Sequence, residues 1–228
     1  MSVIHMVRHG QASFGQDNYD LLSPLGVRQA ELLAGRLSAT GPDFNTMVSG
    51  NMVRHRQTAE PLARISGAEP KVNPRFDEFD AMPVWNSEIG RLVAEDPEAA
   101  SDLAAIPTDP RAFDRVFGKV MLRWVRGEVD PSVAGKWREF KDRVRAGVSE
   151  LMETHGRKKD LVVFTSAGPI AATVQMALGL SDEKTMELAF QILNASVTRF
   201  RYGPRGITLF SFNEVSHLEA DRTLITIR

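Results

Sequence analysis

The run Val3-Ile4-His5-Met6-Val7 is short and almost wholly apolar, and it is closed by Arg8-His9-Gly10-Gln11. This pattern fits a strand buried on both faces of a parallel sheet, and it constrains the fold more than any other stretch of the chain. Arg8 and His9 then sit at the strand's carboxyl end, where open α/β sheets bind ligands. A guanidinium and an imidazole stand side by side there with no acidic neighbour in sequence, and Gly10 lets the backbone turn tightly or approach a ligand. Such a corner suits a phosphate.

A chain of 228 residues holds one large α/β domain, or one domain with a sizeable insertion. Its 28 lysines and arginines nearly balance 29 aspartates and glutamates. No net field therefore draws it to nucleic acid or to an anionic membrane, and a charged ligand must be caught locally. The lack of cysteine excludes disulfides, thiolate metal sites and a cysteine nucleophile. The first strand begins without a basic start or an apolar leader core, and no apolar run approaches the roughly 18 residues of a membrane span. A cytoplasmic protein is expected.

A polar loop from Ala12 to Leu22 precedes Ser23-Pro24-Leu25-Gly26, in which Ser23 is a good N-cap and Pro24 a good first helical residue. Ala30, Leu33, Ala34 and Leu37 follow at helical spacing, and Gly41-Pro42 ends the helix. A short strand is expected over 45–49. Ser49-Gly50-Asn51 then opens a second helix with Met52, Ala59, Leu62 and Ala63 inward, and its first turns carry Arg54 and Gln57. A third short strand over 71–73 leads to Phe76-Asp77-Glu78-Phe79.

The alternation breaks between about 80 and 135. There Asp109-Pro110 reads as an N-cap and first-turn pair for an amphipathic helix with Phe113, Val116, Phe117, Val120, Met121 and Trp124 on one face. Its other face carries Arg111, Arg115, Lys119 and Arg123, more in keeping with a solvated face than with a substrate reader. This segment is expected to be a helical lid inserted over the carboxyl edge of the sheet. Trp85, Trp124 and Trp137 read as lid and core packing.

Trp137, Phe140, Val144, Val148 and Leu151 then share one helical face, and a strand over 161–165 leads through Ser166-Ala167-Gly168 to a helix starting near Pro169. The backbone N–H groups at that start make an anion seat. Residues 196–202 and 207–212 flank Gly203-Pro204-Arg205-Gly206 and read as an antiparallel hairpin near one edge of the sheet.

Taken in order, Arg8-His9-Gly10, Leu22 to Gly26, Ser49 to Ala59 with Arg54 and Gln57-Thr58-Ala59, Glu78, Asn194-Ala195-Ser196 and Asn213 to Leu218 resemble the histidine phosphatase superfamily, also called the phosphoglycerate mutase-like fold. The resemblance covers most of residues 2 to 219 apart from the insertion. It implies that His9 is the nucleophile that forms a phosphohistidine, that Arg8 and Arg54 clamp the phosphate, and that Glu78 gives a proton to the leaving oxygen. It implies no metal and no other cofactor. Elementary chemistry agrees, since a neutral imidazole attacks phosphorus, and two guanidinium groups both match phosphoryl oxygens and disfavour imidazolium. Glu78 must be protonated to act as an acid, and Phe76, Phe79 and Met82 are the apolar neighbours that would raise its pKa.

One departure from the family stands out. Its second histidine, expected in a Ser-His-Gly turn, is replaced in Ser166-Ala167-Gly168. Losing one preorganised donor typically costs on the order of 100- to 1,000-fold in rate. The Gly168 helix start and the Ser166 hydroxyl are the available substitutes, so Ser166, Ala167 and Gly168 are placed at the phosphate with Gln11 and Ser13. For Gln11 and Ser13 the alternative is to hold their own loop. Asp77 and Asp80 rival Glu78, with Asp77 the better rival, and Arg75 offers Glu78 an ion pair instead of catalysis. His5 reads as a hydrogen-bonded core residue, His55 and Arg56 as solvated, and His155 as a helix-end residue. His217 reads as structural and is the one histidine considered to stand in for the missing one.

The expected fold is a single three-layer α/β/α domain with a mostly parallel sheet and the inserted lid. The expected activity is metal-independent phosphomonoester hydrolysis through His9 on a small phosphorylated substrate, weakened by Ala167. A phosphate-ligand binding protein, a phosphoglycerate mutase-type phosphotransferase and an interaction module docking a partner through the lid are the alternatives. Neither the substrate nor the oligomeric state is set by the sequence.

Overall fold

The apolar run near the amino terminus becomes a central strand, and the sheet is built around it. The computed structural model describes residues 2–13, 20–40, 44, 46–109, 111–155 and 160–227. The expectations placed on Gly41, Pro42, Asn45, Pro110 and Gly156, and on 14–19 within the polar loop, lie outside the described residues. Among the described residues, β1 (Ser2–Arg8), β2 (Met47–Ser49), β3 (Lys71–Val72), β4 (Asp160–Thr165), β5 (Val197–Gly203) and β6 (Gly206–Glu214) form one sheet in the order β3-β2-β4-β1-β5-β6. The pairs from β3 to β1 are parallel, and β5 and β6 add an antiparallel hairpin at the other edge. The β1–β4 register sets Arg8 opposite Thr165, so both strands deliver their following turns to one corner.

Helices α1 (Pro24–Thr40) and α2 (Val53–Ser66) cover one face of the sheet. The Ser23 hydroxyl accepts from the Gly26 N–H at 3.0 Å, the N-cap bond that its position promises. Leu33, Ala34, Leu37, Ala59 and Leu62 pack there against Val7, Met47, Val162 and Phe164. Each fully buried leucine or phenylalanine contributes about 1.5–3 kcal/mol. Met52 and Ala63, expected inward, are half-buried.

The chain between 82 and 134 forms α3 (Met82–Glu95), α4 (Pro97–Ala105), α5 (Ala112–Arg126) and the single turn α6 (Pro131–Ala134). The other face of the sheet carries α7 (Lys136–His155) and α8 (Ala167–Leu178), followed by α9 (Asp182–Ala189). α5 begins after Arg111, and Asp109 accepts from the Arg111 N–H in the turn before it instead of capping the helix itself. Val116, Val120, Met121 and Trp124 belong to the same core as Phe140, Val144, Val148, Val163 and Ile170. The helices between 82 and 134 thus share the core of the sheet.

The cationic side of α5 is not merely solvated. Arg115 bonds Asp102 at 2.6 Å and Asp109 at 2.8 Å, Lys119 bonds Asp96 and Glu98, and Arg123 bonds Glu95 at 2.7 Å. The ladder ties α5 to the acidic α3–α4 junction. Trp85 stacks near Phe113 and Phe117, while Trp124 and Trp137 meet edge to face, as packing residues should. Among the described residues no helix is long and apolar enough to cross a membrane.

Candidate active site

β1 ends in a turn that buries His9, leaving it 5% exposed. Its backbone N–H donates to the Thr165 carbonyl at 2.8 Å, and its Nδ1 lies 2.7 Å from the Gly10 carbonyl oxygen. A carbonyl only accepts, so Nδ1 carries the proton and Nε2 keeps a lone pair. Burial, and then the charges of Arg8, Arg54 and the neighbouring His55, hold the imidazole well below its ordinary pKa, which keeps it neutral.

The turn is held by close backbone packing. A Cβ on Gly10 would lie 2.4 Å from the Gly26 carbonyl oxygen, and one on Gly26 would lie 2.1 Å from that of Gln11. This contact is the physical reason for glycine at both positions. Gly10 N–H donates to Thr58 Oγ1, and Gln11 N–H donates to the buried Gln29, whose amide reaches Leu224 and Thr226. Asn194 and Ala195 donate to the His9 carbonyl, and Ala195 holds a left-handed φ of 54° to do so. The Gln11 side-chain oxygen accepts from Ser23, and Ser13 N–H donates to the Leu21 carbonyl. Both residues thus support the loop's own fold.

Arg8 donates through Nη1 to the Ile192 carbonyl. Arg54, 6% exposed in the first turn of α2, meets Asp20 Oδ1 at 2.8 Å, while Asp20 Oδ2 accepts from the Val53 N–H. The sequence suggested a corner free of acidic groups, but the loop before α1 returns Asp20 to Arg54.

Glu78 lies on the other side. Its Oε2 accepts from the Gly168 N–H at 3.0 Å and its Oε1 from the Phe79 N–H at 3.1 Å. Burial raises its pKa, opposed by those two N–H groups and by Arg54 and Arg8. The helix start expected as an anion seat therefore holds the protein's own carboxyl in this structure. α8 begins at Ala167, two residues before the expected Pro169, which is what aims Gly168 N–H at Glu78. Phe76 is fully buried and Phe79 packs beside Gly168, but Met82 is 58% exposed and does not belong to the apolar surround. Arg75 pairs with Glu150, not with Glu78. Asp80 accepts from the Met82 N–H, and Asp77 accepts from the Asn51 N–H at 2.5 Å.

The main correction concerns His55. Read as solvated, it is fully buried, its ring 5.7 Å from that of His9 and its Nε2 2.6 Å from Ser166 Oγ. Gly50 makes room for it, since a Cβ there would lie 2.2 Å from Nδ1. Burial and the charge of Arg54 lower its pKa to about 3. A signal was present in the sequence: His55 precedes Ala59 by four residues and Leu62 by seven, which puts it on the inward stripe. Arg56 is exposed, as expected.

His5 is buried edge-on against Phe44, with both ring nitrogens lacking a hydrogen-bond partner among the described residues, so the expected core position holds and the expected bond does not. His217 bonds the Ala195 backbone near Arg36, and is not among the groups that perturb His9, unlike His55. Among the described residues no cluster of histidine and acidic side chains is placed to hold a metal ion.

A family model described as the histidine phosphatase superfamily, branch 1, matches residues 4–215. The chain belongs to that superfamily. A probable phosphoglycerate mutase GpmB from Citrobacter koseri is 25% identical over 232 residues, covering 96% of each chain. PE-PGRS family protein PE_PGRS11 of Mycobacterium tuberculosis is 37% identical over 86 residues, and this chain spans only 15% of it. The crystal structure of phosphoserine phosphatase from Entamoeba histolytica with 3-phosphoglyceric acid superposes with a TM-score of 0.66 at 18% identity, over 96% of this chain and all of that one, which supports the fold. The superfamily reading from Arg8-His9-Gly10 and its companions is thus shown, as is the α/β fold.

Proposed function

We propose that this histidine phosphatase superfamily member is a phosphomonoester hydrolase acting through a phosphohistidine at His9, without a metal. The observation that carries this reading is the bond from His9 Nδ1 to the Gly10 carbonyl, which leaves the neutral Nε2 lone pair beside Arg8 and Arg54. Nε2 attacks phosphorus in line as the bond to the leaving oxygen breaks, and Glu78 in its protonated form, which burial favours, gives that oxygen its proton. The two guanidinium groups stabilise the charge on the equatorial oxygens. Water then attacks the phosphohistidine, gives its proton to the Glu78 carboxylate, and frees His9 and phosphate.

The substrate is a small phosphorylated molecule rather than a nucleic acid, and the helices between 80 and 135 act as a lid within a single domain. The phosphatase and mutase names among the similar proteins agree with this class of ligand. A second reading, a phosphate-ester binding protein, draws on Ala167 and on the Gly168 N–H already engaged by Glu78. Hydrolysis of p-nitrophenyl phosphate in excess chelator separates the two. Turnover that falls about 100-fold or more in Arg54→Ala supports the hydrolase. Tight phosphate-ester binding by the wild type with no turnover of any phosphomonoester overturns it.

A further inference from the structure

Ala167 presents only a methyl group at the β4–α8 turn, and the Gly168 N–H is held by Glu78. The one side-chain hydroxyl this turn offers is that of Ser166, which is 1% exposed and makes no cap bond to α8. Its partner is His55 Nε2, 2.6 Å away, from a helix on the opposite face of the sheet. Filling space does not require an imidazole there. Burial beside Arg54 disfavours its charged form, and an apolar side chain would fit without that penalty.

We propose that His55 is a positioning residue of this site: its Nε2–H holds the Ser166 hydroxyl so that Oγ–H donates to an equatorial oxygen of the phosphoryl group at His9. The inference rests on the hydrolase reading and supplies the donor that position 167 lacks. The direction of the relay follows from valence. Phosphoryl oxygens only accept, so Ser166 must spend its single proton on them, and its oxygen must accept from His55. That fixes the Nε2–H tautomer and leaves Nδ1 bare. Nδ1 has no hydrogen-bond partner among the described residues, and Asp77 Oδ1, at 3.9 Å, is out of range. His55 stays neutral throughout and no proton leaves either group. The His55 ring that holds Ser166 lies 5.7 Å from the ring of His9, and both His55 and Ser166 are buried from solvent.

The test combines kinetics on p-nitrophenyl phosphate with nitrogen NMR of the His55 ring, with and without vanadate as the oxyanion probe. Ser166→Ala is expected to lower kcat about 100-fold with KM changed less than about threefold. His55→Ala is expected to lower kcat at least about tenfold, and the double variant is expected to fall no further than Ser166→Ala alone, because both remove one relay. His55→Gln keeps a neutral donor and is expected to recover most of the rate. In the wild type, Nε2 should carry the proton and its resonance should move on vanadate addition, a shift absent in Ser166→Ala.

A His55→Ala enzyme with unchanged kcat, or an Nε2 without a proton, overturns the proposal. Should the variants fail to fold, the wild-type resonance decides it. Should the wild type hydrolyse no phosphomonoester, the hydrolase reading fails by itself, and the vanadate response still shows whether the His55–Ser166 pair meets an oxyanion.

Discussion

The carboxyl of Glu78 accepts from the backbone N–H of Gly168 at 3.0 Å, and a Cβ on Gly168 would lie 2.0 Å from its Oε1. Helix start and acid are therefore built as one unit. In Gly168→Ala the carboxyl has to leave its seat, since Phe79 closes the other side at 3.0 Å. We expect kcat for an alkyl phosphate to fall about 100-fold, with a much smaller loss on p-nitrophenyl phosphate, whose leaving group needs little protonation. Equal losses on both substrates would show that Glu78 is not the proton donor.

The proton-donor role proposed for Glu78 sets an expected pH dependence. Only protonated Glu78 serves as an acid, and burial raises its pKa, so kcat/KM should decline as pH rises through that raised value. His9, held well below its ordinary pKa, remains neutral over the same window and adds no rising limb near neutrality. Rate profiles on an alkyl phosphate measure this. In Glu78→Gln the declining limb should vanish, and the rate should drop about 100-fold or more.

Stability has its own pH signature, at His5. Its folded pKa is lowered to about 4 by burial, against an ordinary 6.5, so the folded state stays neutral while the unfolded chain takes up a proton. Stability from this residue is full above about pH 6.5 and is lost as pH falls towards 4, at up to about 1.4 kcal/mol per pH unit. Urea denaturation of wild type and His5→Leu at pH 5 and pH 7 isolates the effect. The variant should lose less stability on acidification, and an identical slope would show that His5 takes up its proton in the fold as readily as in the unfolded chain.

How much of this was legible depends on whether a residue's partners lie near it in sequence. Arg8, His9, Gly10 and the Ser23 cap declare themselves locally, through a strand end and a helix start. Glu78 can be singled out from its sequence, but its seat on Gly168 cannot, because the contact joins residues 90 positions apart. Asp20 on Arg54 and Ser166 on His55 were hidden in the same way. His55 lies between two arginines in a polar stretch, and composition outweighed the helical spacing that points it inward. The α5 ladder was read as solvent-facing because its acidic partners come from the α3–α4 junction, which carries no motif of its own.

That ladder gives a further check. Arg115 is 45% exposed, so solvent screens its pairs with Asp102 and Asp109 and they add little to stability. Arg115→Ala should lower stability only slightly and leave kcat/KM within about twofold, as befits a strut between helices. A large rise in KM at unchanged stability would instead make the ladder a substrate reader.

The most direct test of the whole account is trapping of the covalent intermediate. Protein mixed with a reactive phosphomonoester and quenched without acid should carry one phosphate per chain, mapped to His9 by intact-mass and peptide analysis, and His9→Ala should show neither adduct nor turnover. Turnover that persists in His9→Ala, or an adduct on any other residue, would contradict it.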